Sequence, residues 1–338
     1  MKVKQYKKSI KSRLEYIYLN YAKTENISLT EFVDEINKSY YKYDNYLFPW
    51  DLKDIYLDFF KNLENGYDII DIGAGTGFSH KLINEINYSF NKYYFIEPST
   101  NMSDRFVNKN ISNTIIINDY IENIWNIIKE NKNRKIFIMN AALHHIIDLD
   151  LFSKNLINVM NVNDFLFIPH EPNNEFNSNF YSKLLNISNP KKLFKNILKN
   201  IYKHILTENQ ILFLKKVFKK TIHSDETLID TLELALNDLI NKNIVKSGFQ
   251  KNMIYAITDY GVANNWRNIY IPDEWNEGFY TIATIPGILN LKLEYQKTYS
   301  YNYLETYPLF KKEQQFDRKF RKIFPKSGSI LCLALIKQ

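Results

Sequence analysis

From residue 67 onward, the chain alternates short, continuous apolar runs with longer amphipathic segments. A continuous apolar run is typical of a strand buried on both faces, as in a parallel sheet. Strands separated by helix-length segments indicate repeated βαβ units, with helices on both faces of the sheet. The runs that predict strands are YDIIDI (67–72), KYYFIEP (92–98), NTIIIND (113–119), RKIFIMN (134–140) and DFLFIPHEP (164–172).

The pattern changes after residue 172. Residues 177–249 are predicted to be helical, and strand-like runs return at 291–304 and 328–338. We therefore expect a sheet that begins near residue 67, is interrupted by a helical insert, and is completed by C-terminal strands. One apolar stripe at helical spacing in the insert passes through Leu228, Leu232, Ala235, Leu236 and Leu239.

The composition is that of a globular protein, with 45% hydrophobic and 24% charged residues among 338. A single cysteine, Cys332, lies in the apolar run ILCLALI and is predicted to be a core residue. One cysteine excludes internal disulfides and cysteine-cluster metal sites, and it favours a reducing compartment. No apolar run approaches the roughly 18 residues of a membrane span. We expect a cytoplasmic protein without a metal site, a secretory signal or a membrane partner.

The net charge of +7 is concentrated in one part of the predicted insert. Between Tyr181 and Lys220 there are ten lysines and a single acidic residue, Glu208. Such a segment suits an anionic partner. The ordinary interpretation is a solvated helix face, because the same helix carries an apolar stripe that would pack inward.

The chain contains only nine glycines, and three of them fall within positions 73–77, directly after the first predicted strand. The spacing is Asp71-x-Gly73-x-Gly75-x-Gly77. A nucleoside-triphosphate loop requires Lys-Ser or Lys-Thr after its glycines, and none follows here. A dinucleotide loop, G-x-G-x-x-G, would require glycine where the chain has Phe78. In open α/β sheets this loop borders the ligand site, and glycine removes a Cβ that would hold a ligand away.

The segment resembles the first motif of class I S-adenosylmethionine-dependent methyltransferases, an acidic residue followed by G-x-G-x-G. DIGAGTG fits that motif at every fixed position. The resemblance covers about residues 67–172 and, more weakly, 281–338. It implies a Rossmann-like sheet of seven strands, mostly parallel with an antiparallel last strand. It also implies S-adenosylmethionine as the cofactor and S-adenosylhomocysteine as the product.

The resemblance assigns cofactor contacts to the ends of successive strands. Glu97, after the second strand, would accept hydrogen bonds from both ribose hydroxyls, since a carboxylate offers two acceptor oxygens and no donor. Asp119, after the third strand, matches the position that meets the adenine amino group. The whole implied set is Asp71, Gly73, Ala74, Gly75, Gly77, Glu97, Pro98, Asp119, Tyr120, Asn140 and Ala141.

Histidines are the candidate catalytic residues. Methyl transfer from a sulfonium is an in-line displacement, so the protein must hold the nucleophile within about 3–3.5 Å of the methyl carbon. A hydroxyl nucleophile also needs a general base, and histidine is the usual one. His144, His145 and His170 follow the fourth and fifth strands, and Glu171 follows His170. We expect one histidine to act as base or to position the substrate, with Glu171 as orienting carboxylate or alternative base.

Departures from family motifs narrow the predicted reaction. After the fourth strand the chain has Asn140-Ala141-Ala142-Leu143, whereas the family's amide- and base-methylating branch has Asn/Asp-Pro-Pro-Tyr. Carbon-5 cytosine methylation requires a cysteine after this strand, and none is present. The predicted function is methyl transfer to a small molecule of specialised metabolism. The acceptor is an oxygen, a nitrogen or an activated carbon, with oxygen favoured by the histidines.

Small-molecule members of the family often carry N-terminal helices and an insertion after the fifth strand that cover the substrate as a lid. We therefore predict an N-terminal helical and aromatic cap (1–60), a cofactor-binding core (61–172), a helical insert (173–280) and C-terminal strands that complete the core sheet (281–338). Two interpretations equally suit Tyr40, Tyr43, Tyr46 and Trp50: contact with the substrate, or packing of the N-terminal helices against the sheet. Arg267 suits an anionic substrate group. The substrate-contact candidates are Tyr40, Tyr43, Tyr46, Trp50, Trp266 and Arg267.

Other functions remain open from the sequence. A methyltransferase of the same chemistry could act on RNA, a protein or a carrier-bound substrate through the basic helices at 183–220, although no RNA-binding module is recognisable. A catalytically inactive cofactor-binding subunit would keep the glycine motif and both acids. A dehydrogenase would also carry an acid after its second strand.

Overall fold

The computed structural model describes residues 14–23, 27–43, 52–106, 113–146, 148–173, 223–258, 284–299, 328 and 330–338. These residues form a seven-stranded sheet in the order β3-β2-β1-β4-β5-β7-β6. Strand β7 is antiparallel to both of its neighbours, β5 and β6, and the remaining pairings are parallel. The strands are β1 (Asp68–Ile72), β2 (Tyr93–Ile96), β3 (Thr114–Ile117), β4 (Lys135–Asn140), β5 (Phe165–Pro172), β6 (Lys292–Tyr299) and β7 (Ile330–Ile336).

Each of the seven strand-like runs contains a strand of the sheet, and the Rossmann-like fold is confirmed. Every residue of β1 is buried, as expected of a strand covered on both faces. Successive residues belong to different hydrophobic clusters: Ile70 and Ile72 lie on one face of the sheet, and Ile69 lies on the other. Cys332 in β7 is fully buried, as predicted.

Helices cover both faces of the sheet. Helices α2 (Lys53–Phe60) and α3 (Phe78–Glu85) pack on the face that contains Ile69. After the short α4 (Thr100–Asp104), helices α5 (Ile121–Glu130) and α6 (Leu149–Val159) pack on the opposite face. The short helix α9 (Ile285–Leu289) joins that second layer immediately before β6.

A third hydrophobic cluster lies outside the sheet and forms a helical cap. The cap comprises residues 14–21, α1 (Leu29–Tyr43), α7 (His223–Asn241) and α8 (Lys251–Thr258). Leu232, Ala235 and Leu239 of the predicted stripe are buried in it. Asp238 of α7 accepts hydrogen bonds from Ser39 (2.8 Å) and Lys42 (3.1 Å) of α1. The N-terminal helix and the insert therefore pack together.

The described part of the predicted 1–60 unit is divided between two structural layers. Helix α1 belongs to the cap, whereas Tyr56 and Phe60 of α2 are buried against the sheet. The boundary between cap and core in this part of the chain thus precedes residue 53. No helix in the described ranges is long and apolar enough to cross a membrane.

Candidate active site at the carboxyl ends of the strands

The loop after β1 is fixed to the end of β2 and to the segment after β4. The amides of Gly73 and Ala74 both donate to the carbonyl of Ile96 at 3.0 Å. A Cβ at Gly73 would lie 2.9 Å from the Cβ of Ala142, which is closer than side-chain carbons approach. Glycine at position 73 therefore lets this loop contact the chain that leaves β4.

Gly77 ends the loop and caps helix α3 in the left-handed conformation, with φ of 87°. A Cβ here would lie 2.2 Å from the ring of Phe106, so a side chain is excluded by both conformation and space. Gly75 differs, because the nearest atom to its hypothetical Cβ is the Met102 sulfur at 3.9 Å. The surface of the loop at Gly75 is thus open, and a ligand has room to approach the backbone.

Glu97 follows β2 and is fixed against this open part of the loop. One carboxylate oxygen accepts from the amide of Gly75 and the other from the amide of Ser99, both at 2.8 Å. The side chain is 7% exposed; burial raises the pKa of the carboxyl, and the two backbone hydrogen bonds oppose that shift. Each oxygen retains a second lone pair for a ligand hydroxyl. Pro98, the next residue, is half-buried.

Asp71 lies beneath the loop and has no exposed surface. Its Oδ2 accepts from the Tyr93 hydroxyl at 2.5 Å, and its Oδ1 has no hydrogen-bond partner among the described residues. Burial raises the pKa of this carboxyl to about 7. The resemblance implied that Asp71 contacts the cofactor. The structure buries its carboxyl completely and pairs it with the Tyr93 hydroxyl.

The buried carboxyl of Asp71 makes folding stability depend on pH. A carboxyl that titrates near 3.8 when unfolded and near 7 when folded destabilises the folded state as it ionises. As the pH rises from about 4 to about 7, the free energy of unfolding of the native protein should therefore fall relative to that of Asp71→Asn. The asparagine keeps an acceptor oxygen for the Tyr93 hydroxyl. Urea denaturation of both proteins across this interval measures the difference, and parallel pH profiles would contradict the assignment.

Asp119 and Tyr120 lie between β3 and α5 and make separate contacts. The Asp119 carboxylate accepts from the amide of Tyr120 and from the side-chain amide of Asn123, each at 2.7 Å, just before α5 begins. The Tyr120 hydroxyl donates to the Asp34 carboxylate of α1 at 2.8 Å. Tyr120 therefore connects the strand edge, where the adenine contact is expected, to the helical cap.

After β4, the chain turns sharply at Ala141, whose φ is 55°. The Ala141 amide donates to the carbonyl of His170 at 2.8 Å, so the turn is fixed to β5. Asn140, immediately before it, pairs in register with His170. A single turn of 3₁₀ helix, Leu143–His145, follows and presents two histidines at this edge.

The structure brings His144 together with Glu171. The Nδ1 of His144 lies 2.8 Å from Glu171 Oε1, and both side chains are buried. The His145 ring is half-buried, with its centroid 4.2 Å from that of His144. The register of β5 against β7 shifts between Ile168 and Glu171, a type of bulge that often redirects side chains beside active sites.

His170 makes a different contact, which was not expected from the sequence. Its Nδ1 is hydrogen-bonded to the hydroxyl of Tyr299 at the end of β6, and this hydroxyl also donates to the carbonyl of Pro169 at 3.1 Å. Burial, followed by the proximity of His144, lowers the pKa of His170 to about 3, so this imidazole is neutral. The only sequence feature that pointed to Tyr299 was its place in a predicted strand rich in tyrosine.

Two of the predicted substrate contacts lie in the cap, and four lie outside the described residues. Tyr40 is buried in the cap cluster, and Tyr43 packs against it with its backbone carbonyl accepting from Thr231 at 3.3 Å. These positions agree with the packing interpretation of the two tyrosines. The residues outside the described ranges are Tyr46, Trp50, Trp266 and Arg267, and the lysine-rich segment at 183–220 lies there as well.

No protein-family model matches the sequence, and no curated protein matches it significantly. Solved structures that resemble the chain include an S-adenosylmethionine-dependent methyltransferase from Anabaena variabilis (11% identity, TM-score 0.45, covering 93% of this chain and 96% of that one). Another is from Mesorhizobium loti (9%, 0.39, 85% and 98%). A third is plantazolicin methyltransferase, solved with a substrate analogue and S-adenosylhomocysteine (11%, 0.38, 99% and 98%). At this similarity, the functional argument rests on the strand order and the site geometry.

Proposed function

We propose that the chain is an S-adenosylmethionine-dependent methyltransferase that acts on a small molecule. The observation that carries this proposal is the position of Glu97, whose two oxygens are fixed beside the open backbone of Gly75. A nucleoside placed there would meet a carboxylate at its ribose and bare backbone at its 5′ substituent. The residues present therefore fit the S-adenosyl group.

Each strand-end residue has a proposed role toward that group. The loop from Gly73 to Gly77 accommodates the methionine portion, Glu97 accepts from the ribose hydroxyls, and Asp119 lies where the adenine amino group is expected. Asp71 supports the loop from beneath through Tyr93. When bound, S-adenosylmethionine supplies an electrophilic methyl group on a sulfonium sulfur.

His144 is the proposed general base, and Glu171 orients it. A histidine whose Nδ1 is hydrogen-bonded to a buried carboxylate is held in one orientation, and the carboxylate stabilises the charged form that arises when the other nitrogen takes a proton. His170 suits this role less, because burial lowers the pKa of its imidazole to about 3 and so makes it a weak base. His145, being half-buried beside His144, is the alternative contact for the substrate.

The helical cap is the proposed lid. Helix α1 contacts α4, which follows Glu97, and accepts a hydrogen bond from Tyr120, which follows Asp119. The cap thus rests on the two loops that we assign to the ribose and the adenine. Closing over them would exclude water from the reacting groups.

Breaking the contact between cap and core should weaken nucleoside binding. One hydrogen bond contributes about 0.5–1.5 kcal/mol, so Tyr120→Phe and Asp34→Asn should each reduce the affinity for S-adenosylhomocysteine by about 3- to 10-fold. The double variant should be little weaker than either single variant, because both remove the same bond. Calorimetry measures these affinities. Ser39→Ala, which removes a hydrogen bond inside the cap, is the control, and unchanged affinity in all variants would refute the lid contact.

The experiment that tests the proposed function is calorimetry with S-adenosylhomocysteine, S-adenosylmethionine and a reduced nicotinamide dinucleotide in parallel. The proposal predicts binding of both adenosyl compounds and no binding of the dinucleotide. Binding of the dinucleotide alone would make the protein a dehydrogenase instead. A protein that binds the adenosyl compounds but transfers no methyl group to any component of a cell extract would be a regulatory subunit.

A further inference from the structure

Sulfur is rare in this chain, and one sulfur atom borders the proposed nucleoside site. The sequence contains five methionines and one cysteine. Among the described residues, Met102 of α4 is half-buried, whereas the other sulfur-bearing side chains are at most 7% exposed. These buried side chains are Met139, Met160, Met253 and Cys332. Within the described ranges, Met102 is therefore the sulfur-bearing side chain that a dissolved reagent reaches most readily.

The Met102 sulfur lies at the open surface of the glycine loop. Apart from the chain neighbours of Gly75, it is the atom nearest to the position of a Cβ on that glycine, at 3.9 Å. We place the nucleoside in this space because Glu97 is hydrogen-bonded to the Gly75 amide. A nucleoside that approaches the backbone of Gly75 would therefore contact the sulfur.

Backbone hydrogen bonds fix Met102 on the same turn as the Glu97 carboxylate. The Met102 amide donates to the carbonyl of Ser99 at 3.1 Å and to its hydroxyl at 3.3 Å. The Ser99 amide in turn donates to the Glu97 carboxylate at 2.8 Å. The backbone that carries the sulfur is thus held next to the group that we assign to the ribose.

From this arrangement, and resting on the proposed function, we propose that Met102 is an oxidation site that controls nucleoside binding. The oxidant is a hydroperoxide, which reaches the thioether in the nucleoside-free protein. A sulfur lone pair attacks one peroxide oxygen, the S–O bond forms as the O–O bond breaks, and the second oxygen leaves with the proton as water or an alcohol. The sulfur loses two electrons and the peroxide gains them, so the product is methionine sulfoxide.

A sulfoxide suits the nucleoside site less well than a thioether does. The thioether is apolar and polarisable and packs favourably against a ring, whereas the sulfoxide is polar and its oxygen is an acceptor. A bound nucleoside would remove that oxygen from water, and the Glu97 carboxylate has no hydrogen to donate to it. Burying an acceptor without a donor is unfavourable, so we expect oxidation to lower the affinity for S-adenosylhomocysteine about 10-fold.

Mass spectrometry and calorimetry of protein treated with hydrogen peroxide test the proposal. Mass spectrometry measures the sulfoxide at each methionine, and calorimetry measures the affinity for S-adenosylhomocysteine. Met102 should be oxidised about 10-fold faster than the buried Met160 of the same molecule. Saturating S-adenosylhomocysteine should slow the oxidation of Met102 relative to that of Met160, because the nucleoside covers the sulfur. The two methionine sulfoxide reductases, one for each epimer, should restore the lost affinity.

Met102→Leu is the decisive variant, and Met160→Leu is its matched control. Leucine has about the volume of methionine and no sulfur, so both variants should fold. Each variant is characterised by the ratio of its affinities before and after treatment, which cancels any direct effect of the substitution on binding. Peroxide should leave the affinity of Met102→Leu unchanged and lower that of Met160→Leu as in the native protein. Met1, outside the described residues, is present in both variants, so its oxidation cannot explain a difference between them.

Equal losses of affinity in Met102→Leu and the native protein would overturn the assignment. Oxidation of Met102 no faster than that of Met160, absence of protection by the nucleoside, or a loss that the reductases do not reverse would overturn it as well. Failure of the untreated protein to bind S-adenosylhomocysteine would refute the proposed function and this inference with it. Binding that peroxide does not weaken would refute the inference alone.

Discussion

Replacing Gly75 with Asn should abolish detectable binding of S-adenosylhomocysteine, a loss of about 100-fold or more in a calorimetric titration. Asn tolerates the left-handed backbone, here with φ of 58°, better than other residues that carry a Cβ. Its side chain would project into the space where the nearest protein atom is 3.9 Å from the Cβ position. The fold should therefore survive with a stability loss of about 1 kcal/mol, while the nucleoside is excluded.

The chain offers a matched control for this substitution. Gly66 also has positive φ (90°), and a Cβ there would meet no atom within 4 Å. Gly66 precedes β1, at the opposite end of the strand from the proposed site. Gly66→Asn should lower stability by a similar amount and leave S-adenosylhomocysteine affinity unchanged. Tight binding by Gly75→Asn would show that the cofactor does not contact this loop.

Glu97→Gln should weaken S-adenosylhomocysteine binding by about 100-fold. The substitution keeps the size of the side chain but removes its charge, and hydrogen bonds to a charged group contribute about 1.5–3 kcal/mol each. It also turns an amide NH₂ toward the backbone N–H of Gly75 or Ser99, which should lower the melting temperature. Calorimetry and thermal denaturation separate these two effects.

The control for Glu97 is Glu64→Gln. Glu64 pairs with Arg134 at 2.7 Å on the surface, so its replacement should change neither affinity nor stability appreciably. If Glu97→Gln bound S-adenosylhomocysteine as tightly as the native protein, the ribose contact would be wrong. The carboxylate would then serve only to hold the loop amides.

Most of the strands could be predicted from the sequence because they are nearly uninterrupted apolar runs, whereas β6 (KLEYQKTY) alternates polar and apolar residues. This rule has an exception in Lys135, the first residue of β4, which is fully buried and paired with Asp164 at 3.3 Å. A lysine beside an apolar run is normally expected at the surface. Its partner is 29 residues away and becomes its neighbour only when β5 pairs with β4.

The site was predictable where one sequence motif specifies it and not where distant segments meet. The positions of Glu97 and the glycines follow from local spacing. In contrast, Tyr299 of β6 contacts His170 of β5, although β7 lies between these two strands in the sheet. The two residues are 129 positions apart in the sequence, and no local pattern indicates their contact. The hydrogen bond from Tyr93 of the adjacent strand to Asp71 likewise joins separate segments, and no local pattern indicates it.

The central claim is that an S-adenosyl nucleoside binds at the carboxyl end of β1 and β2, and a crystal structure with S-adenosylhomocysteine tests it most directly. The account predicts both ribose hydroxyls within hydrogen-bonding distance of the Glu97 carboxylate and the homocysteine portion along Gly73–Gly77. Ligand density elsewhere on the protein, or a Glu97 carboxylate turned away from the bound ribose, would contradict it.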